Sequence, residues 1–115
     1  MKSAPPWPTE LVFKRNDKRL AIAFDDGARF EIPYELLRVE SPSAEVRGHG
    51  AGPLPAISGK ADVGVLEAAP VGRYAVRIGF DDGHNTGLYS WEFLYELGRD
   101  VKARMDAHKK RIGAR

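Results

Sequence analysis

The chain contains no cysteine. That single absence excludes disulfides, thiolate metal sites and a cysteine nucleophile. No apolar run approaches the length of a membrane span, and residues 1–20 hold no apolar core of a secretory leader. The cytoplasm is therefore the expected address. No Gly-x-Ser-x-Gly elbow is present for a serine nucleophile. None of the three histidines, His49, His84 and His108, is followed two residues later by Asp or Glu, so the facial triad of iron oxygenases has no local signature. Gly48-His-Gly-Ala-Gly52 lacks the preceding strand and the spacing of a dinucleotide fingerprint. Ser58-Gly59-Lys60 resembles the end of a phosphate loop, but Leu54 and Ala61 stand where glycine and a magnesium-binding hydroxyl belong. These gaps argue against an enzyme.

What is present is ordinary globular composition: 43% hydrophobic and 30% charged over 115 residues, which fits one domain with one core. The net charge of +2 is uneven. From Arg99 to Arg115 there are seven Lys/Arg against two Asp/Glu, so the basic character belongs to the C-terminus. No aromatic platform interleaves with these bases, and helix C-termini favour cations anyway. Nucleic acid is not an expected partner. His108 in this basic stretch reads as solvated.

The most informative feature is an internal repeat. Ile22–Ile32 matches Ile78–Leu88 at an offset of 56, each copy carrying Phe-Asp-Asp-Gly and leading into a helical segment. The unit reads strand, turn, strand, helix, and two copies imply a pseudo-duplicated fold. A three-residue Asp-Asp-Gly loop places Leu20, Ile22, Phe24, Ala28, Phe30 and Ile32 on one face, the pattern of a half-buried sheet. Gly27 and Gly83 then take the left-handed position of the turn. The same register turns Tyr74, Val76, Ile78, Phe80, Thr86 and Leu88 inward and puts His84 at the rim.

Further strands are expected at Glu10–Lys14 and Asp62–Ala68, the latter turning at Pro70–Gly72. Pro33 suits the first position of a short helix. Ser90 reads as the N-cap of a long C-terminal helix, with Tyr89 and Leu94 as a hydrophobic staple. Trp91, Leu94, Leu97, Val101 and Met105 mark its buried stripe, and fraying is expected beyond Arg104. The expected organisation is a Pro-rich lead-in over 1–8, one α+β domain over 9–104 and a basic tail over 105–115. Residues 41–62 form a Gly/Pro-rich loop within it. Residues 41–48 suit one capped helical turn.

Asp25, Asp26, Asp81 and Asp82 on two hairpin tips offer oxygen ligands for a hard cation. Aspartate is equally at home in turns through local hydrogen bonds, and no Asp-x-Asp-x-Asp-Gly loop exists.

Leu37–Glu45, Pro70–Val76 and above all Phe80–Trp91 resemble the gamma-butyrobetaine hydroxylase-like N-terminal domain family, over roughly residues 9–100. The resemblance implies a compact α+β fold. It also implies two settings, since related domains occur in carnitine-synthesis oxygenases and fused to P-loop iron–sulfur cluster carriers. In the oxygenases the domain holds a structural zinc through three cysteines and a histidine. Those positions fall on Ser41, Ser43, Val46 and His84, so one ligand of four remains and no cofactor is expected. The reading is a non-enzymatic adaptor, with an iron–sulfur carrier as suspected partner. His49, His84, Tyr89 and Trp91 form its expected binding edge, together with the 47–55 loop. The rivals are a metal protein using His84, His49 and hairpin aspartates, and an enzyme with a dispersed site near Tyr89–Trp91.

Overall fold

The computed structural model describes residues 6–42 and 59–113. His49, Ser43 and Val46, the 47–55 loop and most of the expected capped turn lie outside the described residues. The first unit comprises β1 (Pro8–Lys14), β2 (Arg19–Phe24), β3 (Arg29–Pro33) and α1 (Tyr34–Val39). The second comprises β4 (Val65–Val71), β5 (Ala75–Phe80), β6 (Gly87–Ser90) and α2 (Trp91–Arg99), followed by α3 (Val101–Arg111). Each unit forms its own three-stranded antiparallel sheet, ordered β1-β2-β3 and β4-β5-β6. The fold is α+β, and the duplication runs further than the sequence match, taking in the first strand of each unit. Even the register shifts in β1 and β4, at Pro8/Glu10 and Val65/Glu67, fall at equivalent places.

The first hairpin follows its sequence pattern. Ile22 pairs with Phe30 and Leu20 with Ile32, while the Phe24 N–H donates to Ala28 O at 2.9 Å across the three-residue loop. Gly27 and Gly83 sit at φ +92° and +95°, the left-handed region that the turn requires. Leu20, Ile22, Phe24 and Ile32 are buried, as are Val76, Ile78 and Phe80 of the second unit.

The second unit departs from its expected register on one strand. Its turn matches the first, with Phe80 N–H donating to His84 O at 2.8 Å, yet Ile78 pairs with Gly87 and Val76 with Tyr89. One extra residue between His84 and Gly87 moves β6 by one place. Gly87 and Tyr89 therefore face inward, while Thr86 and Leu88 are exposed and Tyr74 stays with the preceding turn, 66% exposed. The repeat offset becomes 57 from this point on, so Ser90 and Trp91 answer to Pro33 and Tyr34.

Other boundaries move for local reasons. The fourth strand is Val65–Val71 instead of Asp62–Ala68, because the chain reverses at Gly72, whose φ of +60° supplies the turn. Pro70 is tolerated because β4 is an edge strand. Pro33 caps α1 from outside at ψ 143° instead of occupying its first turn. Ser90 is the N-cap of α2, its Oγ accepting from the Phe93 N–H at 3.0 Å. The C-terminal helical segment is two helices, interrupted where Asp100 leaves helical geometry at φ −109° and ψ 22°.

The helix does not fray at Arg104. Arg104 pairs with the buried Glu40, and His108, 1% exposed, meets Glu35 Oε2 through Nε2 at 2.8 Å. His108 is thus a buried α1–α3 contact and not a solvated side chain. Residues up to Arg111 belong to the folded unit, although Lys109 and Lys110 remain exposed.

Candidate functional site

Among the described residues the second Asp-Asp-Gly turn is the most densely connected polar region. Asp82 Oδ1 accepts from the His84 N–H at 3.1 Å, which is the local turn bond. Its other oxygen accepts from Arg38 Nε at 2.8 Å and Lys60 Nζ at 2.6 Å. Burial alone would raise the Asp82 carboxyl. Hydrogen bonds from Lys60, the His84 N–H and Arg38, with the Arg38 charge, outweigh it and hold the group well below the usual carboxylate range.

His84, beside that turn, meets Ser41 Oγ through Nε2 at 2.9 Å. Burial and then the Arg38 charge push its pKa below the ordinary value, while Asp82 opposes them and Lys60 adds to them. The imidazole is therefore neutral at physiological pH. Ser41 is 3% exposed and packs over Gly87, where an added Cβ would lie 2.4 Å from its Oγ. Tyr89, fully buried next to Gly87, donates its hydroxyl proton to Leu37 O at 2.5 Å. Burial raises the Tyr89 phenol far above its ordinary value, against a hydrogen bond from Ser41.

Comparison with the first unit shows what is special here. At the equivalent place Phe24, Phe30 and Tyr95 form an edge-to-face aromatic trio with centroids 4.9–6.1 Å apart, and Phe30 lies on the bare backbone of Gly98. By strand register Phe30 answers to Gly87, and by helix position Tyr95 answers to Arg38 and Gly98 to Ser41. The second site thus keeps Phe80 but has Gly87 and Arg38 in place of the other two rings and Ser41 in place of Gly98, and His84 fills the space. An apolar contact in one half is a polar, titratable cluster in the other.

Among the described residues, His84, Tyr89 and Trp91 do not gather into one edge. Tyr89 anchors the core and presents nothing to solvent. Trp91 is half-buried, donates Nε1–H to Arg73 O at 2.8 Å, and sits at the start of β5. His84 sits past its end, and the six residues of β5 between them span roughly 20 Å. His84 instead joins Ser41, Arg38, Lys60 and Asp82. Sequence reading missed Arg38 and Lys60, and Ser41 entered only as a lost ligand position. The missed signal was the 57-residue offset, which would have set Arg38 against Tyr95. The aromatic end holds Trp7 and Tyr74, both exposed, with ring centroids 5.8 Å apart.

The hairpin aspartates do not gather. Asp26 caps its own turn through the Ala28 N–H at 2.9 Å and accepts from Tyr95 Oη at 2.7 Å. Among the described residues no group of three or more His, Cys, Asp and Glu is placed to hold a metal. The pair that does meet, Ser41 and His84, is a neutral hydroxyl and one imidazole. That donor set does not fit a structural zinc, and Cys is absent from the whole chain. A shallow depression of about 430 Å³ lies on the outer face of the first sheet. Its charged side chains, Arg29 with Glu10 and Lys14 with Glu31, are paired with one another.

These features define a small duplicated α+β domain whose two halves differ at one polar seam. The chain belongs to the gamma-butyrobetaine hydroxylase-like N-terminal family, whose profile matches residues 11–95. It is similar to a crystal structure from Acidithiobacillus ferrooxidans ATCC 23270, described as a protein of unknown function in the DUF971 family. The identity is 36% over 79% of this chain and 91% of that one, with a TM-score of 0.66. Two NMR solution structures are also similar. One is 44% identical over 97% of this chain and 83% of its own, with a TM-score of 0.82. The other is 33% identical over 94% and 85%, with a TM-score of 0.79. No curated protein matches the chain. Among the described residues no helix is long and apolar enough to cross a membrane.

Proposed function

We propose that this chain is a non-enzymatic binding domain of the cytoplasm that docks a protein partner at the seam formed by His84, Ser41, Arg38, Lys60 and Asp82. The observation that carries the reading is the break in the internal symmetry. A duplicated core contact has no structural need to exchange an aromatic trio for a hydrogen-bonded histidine and paired charges, because burying polar groups costs stability unless every one is satisfied. Selection for a surface with specific donors and acceptors accounts for the exchange. The site stands on a turn and helix end held by a rigid scaffold, the usual setting of binding residues.

The partner we propose is an iron–sulfur carrier, as the family's fused relatives suggest, with this domain acting in trans and without a metal of its own. Affinity capture with the purified wild-type protein and the His84→Ala and Lys60→Ala variants tests it. The wild type should retain a carrier protein, and both variants should lose most of it while keeping their thermal midpoints within a few degrees. Equal capture by all three would remove the seam from the reading. Capture of unrelated partners would remove the carrier.

A further inference from the structure

The internal symmetry is broken a second time, at the end of β5 away from the seam. Backbone hydrogen bonds fix the equivalence there. Trp91 N–H donates to Tyr74 O at 3.0 Å as Tyr34 N–H does to Lys18 O at 2.9 Å. Asp25 N–H donates to Trp7 O as Asp81 N–H does to Gly64 O, both at 2.8 Å. Strand pairing sets Val71 and Ala75 against Lys14 and Arg19, and Leu88 against Glu31. The first unit's end is charged and satisfies itself: Lys14 and Arg19 both pair with Glu31, and Lys18 Nζ donates to Asp62 O at 2.7 Å. The second unit's end has Val71, Tyr74, Ala75 and Leu88 at those positions, with Trp7 in place of Gly64. Trp7, Val71, Tyr74 and Leu88 are 40–66% exposed. The charged end shows that the same turn and strands form without these apolar groups, so folding does not account for them.

We propose that this end is a second interaction surface, separate from the seam, which takes an extended proline-containing segment of a partner protein with a carboxylate next to its prolines. Both aromatic side chains stand exposed on backbone that is pinned. Trp91 holds the Tyr74 turn through its backbone N–H and through Nε1–H to Arg73 O at 2.8 Å. Trp7 N–H donates to Asp25 Oδ1 at 3.2 Å, and its carbonyl accepts from the Asp25 N–H. Anchors fixed in this way lose little freedom on binding. Their rings, with centroids 5.8 Å apart and planes tilted by 36°, join the two units in one aromatic pair. Aromatic side chains of this kind line the grooves that take polyproline segments, which are extended before they bind. The size agrees with that occupant. The row Val71–Ala75–Ser90 spans two strand spacings, roughly 10 Å. Further along the face Arg77 is drawn to Glu67 at 3.4 Å and to Asn85 O at 3.0 Å, which ends the apolar area. A helix laid along the strands would cover that ion pair, whereas a few extended residues stop short of it. Charge sets the flank: Arg73, exposed in the Tyr74 turn, reverses the sign of its counterpart Asp17 and favours an acidic neighbour.

Two synthetic peptides, Pro-Pro-Leu-Pro-Pro-Glu-Glu and the same sequence ending in Lys-Lys, test this by titration into the ¹⁵N-labelled protein. The acidic peptide should shift the Trp7 indole signal and the amides of residues 71–75. Binding should be weak, as for patches below standard interface size, and several-fold weaker still for the lysine peptide. Tyr74→Lys and Leu88→Glu install the residues that the first unit carries at the equivalent places. Each should weaken binding by about tenfold while keeping the thermal midpoint, and the wild-type titration stands without either. Arg73→Asp should reverse the preference between the peptides, and Lys60→Ala, in the seam, should change nothing. No shift from the acidic peptide, equal binding of the two peptides, or a folded Tyr74→Lys variant that binds as well as the wild type overturns the proposal. A concentration-dependent dimer that Tyr74→Lys dissolves overturns it too, because the occupant is then a second copy of the chain. Capture of a carrier at the seam is read separately and is untouched by any of these results.

Discussion

Arg38 of the first unit reaches Asp82 of the second, its Nε donating at 2.8 Å. The mirror relation is present too, since Tyr95 of the second unit donates to Asp26 of the first at 2.7 Å. In each half the second aspartate of the Asp-Asp-Gly turn uses one oxygen for its own turn and the other to hold the opposite unit's helix. The two units are therefore clasped reciprocally, and only one clasp is shielded. Arg38 and Asp82 are 14% and 18% exposed at the side chain. Double-mutant cycles should give the 38–82 pair a coupling of roughly 1–3 kcal/mol, as for hydrogen bonds to charged groups. The 26–95 pair joins a neutral phenol to an exposed carboxylate and should couple more weakly. Urea titrations of the four single and two double variants check this, and equal couplings would contradict the assigned burial.

The turn glycines offer a paired test of the duplication. Gly27→Ala and Gly83→Ala each place a side chain at positive φ with open space around it, so the cost is conformational alone. Each should lower stability by about 1 kcal/mol, and by similar amounts. Chemical denaturation of the two variants measures it.

Gly98 should reverse the usual helix rule. Glycine to alanine within a helix ordinarily stabilises by about 1 kcal/mol. At Gly98 the new Cβ would stand 2.4 Å from Phe30 Cγ and 2.6 Å from its Cβ, so the ring and its strand would have to move. Gly98→Ala should destabilise by about 1–3 kcal/mol, the range for overpacking. Phe30→Ala in the same chain should recover part of the loss.

Much of this architecture was legible because it is written in short-range patterns. The alternation around Asp25-Asp26-Gly27, the serine before Trp91 and the helical stripe from Trp91 to Met105 each specify their element locally. The second hairpin misled because its turn is identical while the register of β6 depends on one residue between His84 and Gly87. No local propensity marks that residue. Which of Leu88 and Tyr89 faces inward is decided by tertiary contacts, namely the Leu37 carbonyl and the space that Gly87 leaves for Ser41. His108 was misread for a similar reason. Its basic neighbours point to solvent, but its partner, Glu35, lies on a helix 73 residues earlier. Residues on a shared edge of one sheet can be grouped from sequence, whereas His84 and Trp91 were grouped on nearness in the chain alone.

Metal removal should leave the protein intact. The zinc that the family resemblance brings to mind needs thiolates, and at Ser41 and His84 a hydrogen bond already holds α1 to the second turn. Prolonged dialysis against a strong chelator should shift the thermal midpoint by no more than experimental error. Elemental analysis of untagged protein should give well under one equivalent of zinc or iron. Stoichiometric metal whose removal unfolds the chain would require ligands beyond the described residues.

The last expectation concerns pH, and His84 and Asp82 contribute in separate windows. His84 titrates below its ordinary value of 6.5 in the folded protein, chiefly because of burial and the Arg38 charge. The unfolded chain therefore takes up this proton more readily than the folded one. The sign follows: the contribution is fully present above pH 6.5 and is lost as pH falls through the depressed folded value. Asp82 is likewise depressed, from an ordinary 3.8, so its contribution holds above about pH 4 and is lost only in stronger acid. Urea midpoints taken from pH 8 to pH 3 should fall in two stages. His84→Gln should flatten the upper stage and leave the lower one, while Asp82→Asn should shrink the lower stage, to which the depressed Asp26 and Glu31 carboxyls also contribute. Asp82→Asn should also deepen the upper one, because the carboxylate favours the charged form of His84 while Arg38 and Lys60 oppose it. A His84→Gln profile that retains the upper stage unchanged would overturn its assignment to His84.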